Sequence, residues 1–329
     1  MSDSKLVAVA VAPAYRDYVQ EDKELAPLGI KVVDVVSNGD REVLKRELAN
    51  VDLIFLRDVA LDADIINSMN RCKGIVRYGV GVDTVDLEAA KAKKVIVANV
   101  PDYGANIEVS DHAAALTLSL LRRIPSRSYK VKYQGVWSLD QDEPIQRIGD
   151  HHLGLIGFGK IAQGYLNRMR AFGIKKVMAY DPYAPDDLFK SMDVEKVDIE
   201  TLCKNASLIS IHAPATPETR HIINAKTLAL MGQNTAIVNT ARGALVDEAA
   251  LVETIKSGKL FGVALDVQEK EPMRSDSPLQ ALKDNENVIL TNHLGWYSEA
   301  SVAVLKTKAG EQGYQILSNG NPTNWVNRW

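Results

Sequence analysis

Short apolar runs rich in β-branched residues alternate with longer segments of helical spacing along almost the whole chain. Runs at residues 6–11, 31–36, 52–56, 75–78 and 95–99 read as strands, and charged stretches such as 41–48 and 87–93 read as helices between them. Alternation of this kind predicts an α/β domain with a mostly parallel sheet, because a parallel pair needs a crossover long enough to hold a helix. An amphipathic helix is predicted over 107–121, where Ala113, Ala114, Ala115 and Leu116 point to a close helix contact. Residues 125–150 are polar and mixed, and read as a long loop or arm over a neighbour. A second alternating set begins at Leu153, with strands at 153–156, 177–180, 208–211, 236–239, 262–265 and 288–290. A last helix is predicted over 299–317, and the pattern alone does not assign it to either half.

The turn between the first strand of the second set and its helix reads Gly157, Phe158, Gly159, Lys160, Ile161, Ala162. The next strand ends in Asp181. Strand, glycine turn, helix, strand and acid form the layout of a dinucleotide-binding unit, and six strands is the count of a full dinucleotide fold. Glycines let the backbone approach a pyrophosphate, and the free amides of a helix N-terminus bind that anion. A carboxylate at Asp181 can accept the adenosine ribose hydroxyls and repels a 2′-phosphate, and no Arg follows it in Pro182, Tyr183 and Ala184. The expected cofactor is therefore NAD rather than NADP.

With 329 residues the chain has room for about two domains. It is 46% hydrophobic and 25% charged, an ordinary globular balance. A net charge of -3 gives no bulk pull toward nucleic acid or an anionic membrane, and no apolar run approaches a membrane span. Cys72 and Cys203 have neither metal-ligand nor CxxC spacing, so no metal is expected and a reducing cytoplasm fits. The N-terminus runs into a strand-like segment rather than a signal peptide.

Three charged residues fall just past strands of the second set: Arg242, Glu271 and His293. Ligands of an open α/β sheet bind at the carboxyl ends of its strands, so these groups can converge although distant in sequence. Reduction of a carbonyl needs a hydride and a proton. A histidine gives that proton near neutral pH, and a carboxylate beside it stabilises the imidazolium. An arginine fork grips a carboxylate and polarises the adjacent carbonyl.

These residues resemble known motifs of the D-isomer-specific 2-hydroxyacid dehydrogenases. The resemblance covers Val238 to Gly243 with Leu245 to Glu248, Ala264 to Val267 with Glu271-Pro272, His293 to Gly295, and Ile211 to Pro214 with Thr216. It runs from about Leu53 to the C-terminus. It implies two Rossmann-like domains with doubly wound parallel sheets, the nucleotide domain (102–296) being inserted into a discontinuous substrate domain (1–101 and 297–329). It implies hinges near Pro101 and Gly295-Trp296, a cleft that closes on substrate, and a homodimer formed through the nucleotide domains. The family's catalytic Arg, Glu and His carry over onto Arg242, Glu271 and His293. Its nicotinamide contacts carry over onto Asp266, Thr240 and Ala241, and the cofactor environment extends to Ala213, Pro214 and Gly295. Its carboxylate-binding amides fall at Val80 and Gly81.

Two branches compete within the family. Arg57 and the run from Arg77 to Asp86 look like 3-phosphoglycerate dehydrogenases, where basic residues in this region hold a phosphate. The run from His293 to Ser301, with 322–327, looks like the C-terminal-binding-protein branch, in which Trp296 would pack on the substrate side chain and Arg77 would help bind its carboxylate. Tyr78 joins this candidate substrate set. Asn292 departs from the usual Pro before the catalytic His, and no regulatory domain follows Trp329, so serine feedback is not expected. The leading expectation is an NAD-dependent enzyme interconverting small 2-oxo acids and D-2-hydroxy acids. The alternatives are D-3-phosphoglycerate dehydrogenase and an NAD(H)-sensing, corepressor-like binding protein.

Overall fold

The computed structural model describes residues 6–11, 15, 17–138 and 145–329. Residues 1–5 and 139–144, within the expected N-terminal segment and arm, lie outside them. The chain divides into two compact units, one of Met1–Gly104 with Ser298–Trp329 and one of Ala105–Tyr297.

The first unit holds β1 (Ala8–Val11), β2 (Val32–Val35), β3 (Leu53–Leu56), β4 (Gly74–Arg77) and β5 (Ile96–Ala98), all parallel, in the order β2-β1-β3-β4-β5. The central β1 and β3 are apolar at every position and wholly buried, as a parallel sheet covered on both faces requires. Edge strand β2 exposes Val33 and Asp34. Asp40, Asp62 and Asp86 each accept first-turn amides of the helix they precede. The C-terminal helix Glu299–Asn319, opened by a Ser298–Ser301 capping box, packs against this unit. Its Gly310 permits that approach, because a Cβ there would lie 2.9 Å from the Glu24 Cβ and 3.0 Å from the Glu21 Cα. The tail then pairs beside β5, with Asn327 accepting from the Val97 amide and donating to the Val95 carbonyl.

The second unit holds β6 (His152–Ile156), β7 (Lys176–Tyr180), β8 (Glu195–Lys196), β9 (Leu208–Ile211), β10 (Thr235–Asn239), β11 (Leu260–Leu265) and β12 (Val288–Leu290). The order β12-β11-β10-β9-β6-β7-β8 reverses direction at the β6–β9 boundary, the switch point of a doubly wound dinucleotide fold. Apolar clusters cover both faces, one around Leu120, Phe158 and Tyr165 and the other around Leu202, Ile223 and Leu251.

The sheet has seven strands where the sequence pattern predicts six. The additional β8 is two charged, exposed residues and leaves no apolar run to detect. The helix expected from 107 begins at Ala105. The expected arm is partly helical, over Ile124–Tyr129 and a π turn at Lys130–Gln134. Pro125 sits in the first turn of that helix, where its missing amide costs nothing.

Candidate active site

Nucleotide-binding geometry is concentrated after β6. Gly157 takes φ +85°, and a Cβ on it would lie 2.7 Å from the Ala213 nitrogen, so the turn presses against the backbone that follows β9. Gly159 caps the twelve-residue helix Lys160–Ala171 with no side-chain bond, and a Cβ there would meet open space. The amides of Lys160 and Ile161 thus begin a helix whose N-terminus no side chain occupies, a place for an anion. Phe158 contributes through its backbone. Its ring is buried against Phe189, and its amide donates to Asp181 at 2.8 Å. The other Asp181 oxygen accepts from the Tyr183 and Ala184 amides. Three amides therefore fix this half-buried carboxylate at the end of β7, and a carboxylate has lone pairs left for a ribose hydroxyl. Beyond β9, Ala213 is buried and Pro214 exposed. Beyond β10, the buried Thr240 hydroxyl has no hydrogen-bond partner among the described residues, a polar group of the kind a bound nicotinamide nucleotide would engage.

Arg242, Glu271 and His293 lie past the ends of three neighbouring strands. Register sets Asn239 beside Leu265 and Leu265 beside Leu290, so the chain leaves β10, β11 and β12 at one level. Fully buried Asn239 braces the first exit, accepting from the Ala241 amide at 3.0 Å and donating to the Arg242 carbonyl at 2.9 Å. Gly243 lets this turn abut the loop after β11, because a Cβ would run into the Gln268 carbonyl and the Glu269 nitrogen. From the third exit, His293 takes φ +57°, rare outside glycine, and its Nδ1 lies 2.7 Å from Glu271 Oε2. The second Glu271 oxygen accepts from the Gln268 amide at 2.9 Å. Burial favours the neutral Glu271 acid, but the bonds from His293 and Gln268 and the charges of His293 and Arg242 hold its carboxyl below the usual range. The Glu271 contact engages Nδ1 of His293 and leaves Nε2 as the other ring nitrogen able to donate or accept.

Comparison with known proteins bears on this arrangement. Residues 114–295 match the family model described as D-isomer specific 2-hydroxyacid dehydrogenase, NAD binding domain. The chain belongs to that family. It is 40% identical over 297 residues to D-3-phosphoglycerate dehydrogenase of Methanocaldococcus jannaschii, covering 90% of this chain and 55% of that one. It is 37% identical over 302 residues to hydroxypyruvate reductase of Thermotoga maritima, covering 90% and 95%. Among solved structures, D-lactate dehydrogenase from Aquifex aeolicus complexed with NAD and lactic acid superposes with TM-score 0.86 at 27% identity, over 98% of this chain and 99% of that one. The chain thus spans about half the length of the phosphoglycerate dehydrogenase relatives and nearly all of the reductase. The nucleotide domain of this dehydrogenase family binds NAD, as the glycine turn and Asp181 led one to expect.

Other residues of the expected set occupy more constrained places. Asp266, 2% exposed, accepts from Thr291 Oγ1 at 2.5 Å, the Gly295 amide at 2.8 Å and the Leu294 amide at 3.0 Å, with His112 Nε2 at 3.2 Å. Burial favours its neutral form, yet those bonds hold its carboxyl far below the usual carboxylate range. The resemblance assigns Asp266 to the nicotinamide amide; here its oxygens are engaged in bracing the loop that carries His293. Trp296 donates its indole N–H to the His293 carbonyl at 2.9 Å and meets Tyr297 edge-on, which fixes the indole beside the loop that carries His293.

Within the first unit, Arg57 lies just past β3 with Nε 2.9 Å from Asp58, and Arg77 ends β4 with Nη2 3.9 Å from the same carboxylate. Tyr78 is 4% exposed, and its hydroxyl donates to the fully buried Glu21 at 2.6 Å, so it serves as an anchor rather than an open contact. The turn it anchors presents Val80 at 52% exposure, with the Val80 carbonyl bonded to Asn99, and half-buried Gly81 next to it.

Sequence reasoning missed His112, Asn239, Glu21, His221 and Glu269. The first three lie inside elements whose periodicity accounts for them. Glu269 stands two residues before Glu271, and its contact with His221 Nε2 spans 48 positions without a local signal. Among the described residues, no group of three or more His, Cys, Asp or Glu could hold a metal ion, and no helix is long and apolar enough to cross a membrane.

Proposed function

We propose that this protein is an NAD-dependent dehydrogenase that reduces small 2-oxo acids to D-2-hydroxy acids and runs the reverse oxidation. The observation that carries the reading is the 2.7 Å contact between His293 Nδ1 and Glu271, on a strand exit beside that of Arg242. Bound NADH supplies the hydride for the ketone carbon. His293 Nε2 gives a proton to the carbonyl oxygen, and Glu271 stabilises the imidazolium before that transfer. Arg242 holds the substrate carboxylate and polarises the adjacent carbonyl. The exposed turn at Val80 and Gly81 is proposed to offer its amides to a substrate carboxylate, and Trp296, pinned by the His293 carbonyl, is proposed to meet a substrate side chain. The reading is tested by NADH consumption with pyruvate, glyoxylate, hydroxypyruvate and phenylpyruvate, with chiral analysis of the product. D-2-hydroxy acid as the sole product supports it. NADH-dependent assembly without turnover of any of the four contradicts it and favours the corepressor-like alternative.

A second reading, D-3-phosphoglycerate dehydrogenase, is favoured by the 40% identical relative of that name and by Arg57 and Arg77 at adjacent strand ends. Turnover of phosphohydroxypyruvate that collapses in Arg57→Ala would select it. Indifference to that change, with turnover of unphosphorylated acids, would select the first. We also propose a homodimer through the nucleotide unit, since Tyr129, Tyr133 and Trp137 are 54%, 74% and 88% exposed on the arm. The proposed compartment is the cytoplasm. Both thiols are free, and burial pushes each up to about 12, which suits a reducing environment that asks no chemistry of them.

A further inference from the structure

We propose that His221 and Glu269 form a positioning pair for the acid–base site, pinning the loop that carries Glu271 to the turn that carries Arg242. The proposal rests on the assignment of Arg242, Glu271 and His293 made above. His221 touches both segments. Its backbone amide donates to the Ala244 carbonyl at 2.9 Å, two residues past Arg242, and its ring Nε2 meets the Glu269 carboxylate, two residues before Glu271. The guanidinium of Arg220 lies 3.7 Å from the same Glu269 oxygen.

The loop is tied at successive peptides. The Gln268 amide donates to Glu271 Oε1 at 2.9 Å, and the Glu269 amide donates to the buried Glu248 at 2.7 Å. Gly243 seats the Arg242 turn directly on the Gln268–Glu269 peptide. Residues 242–245 and 268–271 therefore form one packed body, and a shift of Glu269 carries Glu271 and Arg242 with it.

Charge gives the pair a second reason to exist. Glu269 and Glu271 both lie within electrostatic reach of Glu248. Burial first, then the charges of Glu269 and Glu271, push the Glu248 carboxyl up, against the pull of the Glu269 amide. Such a cluster of acids is self-repelling unless cations are interleaved. His221 and Arg220 face Glu269, while His293 and Arg242 face Glu271. Without the His221 and Arg220 contacts, Glu269 loses these side-chain partners and the 268–271 loop loses one of its ties to the 242–245 turn.

The test compares His221→Ala, Glu269→Ala and the double variant, with His293→Ala as the reference, using NADH with pyruvate or hydroxypyruvate from pH 6 to 9. Each single change should lower kcat about tenfold through misplacement of the site, leave NADH affinity by fluorescence within about twofold, and move the alkaline limb of kcat/KM to lower pH. The double variant should be no worse than the more damaging single, because both remove one interaction. His221→Asn, which keeps a donor, should recover most of the loss. If His221→Ala does not fold, Glu269→Gln should show the same displaced limb in smaller measure. Multiplicative losses in the double variant, or a fall in kcat with the alkaline limb unmoved, overturn the proposal. Unaltered kinetics in His221→Ala beside an inactive His293→Ala overturn it alone. A fully active His293→Ala overturns the acid–base assignment beneath it as well.

Discussion

In the unit of Met1–Gly104 and Ser298–Trp329, aspartates close the starts of the helices at Arg41, Ala63 and Leu87, and two polar side chains are tied to buried or local partners. Tyr78 is bound to Glu21, and Lys306 to Asp17. In the Ala105–Tyr297 unit, Asp198, Asn224 and Asp247 close three helices in the same way, but the helix at Lys160 starts on Gly159 with no side chain over its amides. On the opposite flank of the switch point, Arg242, Glu271 and His293 follow three consecutive strands, and Glu271 and His293 meet at 2.7 Å. Both units are doubly wound parallel sheets, so the sheet alone does not mark a reactive site. What marks one is where hydrogen-bonding capacity is left for a ligand and where braces hold reactive groups at an unfavourable backbone angle.

The sharpest break in that contrast is Arg242→Gln. It should lower kcat/KM for 2-oxo acids about 10²–10³-fold in steady-state assays while disturbing NADH binding much less. Gly157→Ala is next. A left-handed φ and a Cβ 2.7 Å from the Ala213 nitrogen should weaken NADH binding about tenfold or more by fluorescence titration. Retained affinity would show that the turn is not the nucleotide cradle.

Glu271→Gln sharpens the comparison through pH. The bond and charge of His293 help hold the Glu271 carboxyl below its usual range, and the neutral amide removes that charge coupling. The alkaline limb of the reduction profile should move to lower pH, costing about tenfold in kcat/KM at pH 8. A profile that stays in place would separate Glu271 from the proton transfer.

The smallest effect on catalysis is expected for Glu21→Gln in the other unit. Burial raises this carboxyl to about 7 from 4.5, against the pull of Tyr78 and Lys306. Its raised value favours the protonated fold. Its contribution is therefore fully present below about 4.5 and lost as pH rises through 7. The glutamine variant should gain in melting temperature relative to the parent between pH 5 and pH 8, by a few degrees in circular dichroism melts. A difference that does not change with pH would mean that Glu21 carries no such linkage.

Much of this architecture is legible in the chain because parallel strands buried on both faces must be continuous apolar runs. β3, β9 and β11 are visible for that reason, and β8, two exposed charged residues, is not. The C-terminal helix has a weak apolar stripe; its place follows from the close approach at Gly310, which depends on a partner almost three hundred residues away. Gly157, Asp181, Arg242, Glu271 and His293 stand out because each follows a recognisable strand. The braces do not. His112 sits in the periodic helix Ala105–Leu121, Asn239 ends a buried strand, and the pairing of His221 with Glu269 exists only once two loops are folded together. Periodicity reports what faces the core, and strand ends report where ligands go, but bonds between loops leave no spacing in the chain.

The central claim is that Arg242, Glu271 and His293 act together on a ketone beside NADH. The most direct measurement is chiral analysis of the product formed from pyruvate and NADH by the parent protein and by His293→Ala, alongside NADH binding to both. The account predicts D-lactate from the parent, a loss of about 10²–10⁴-fold in the variant, and nearly equal cofactor affinity. Comparable D-lactate formation by the variant, or L-lactate from the parent, would contradict it.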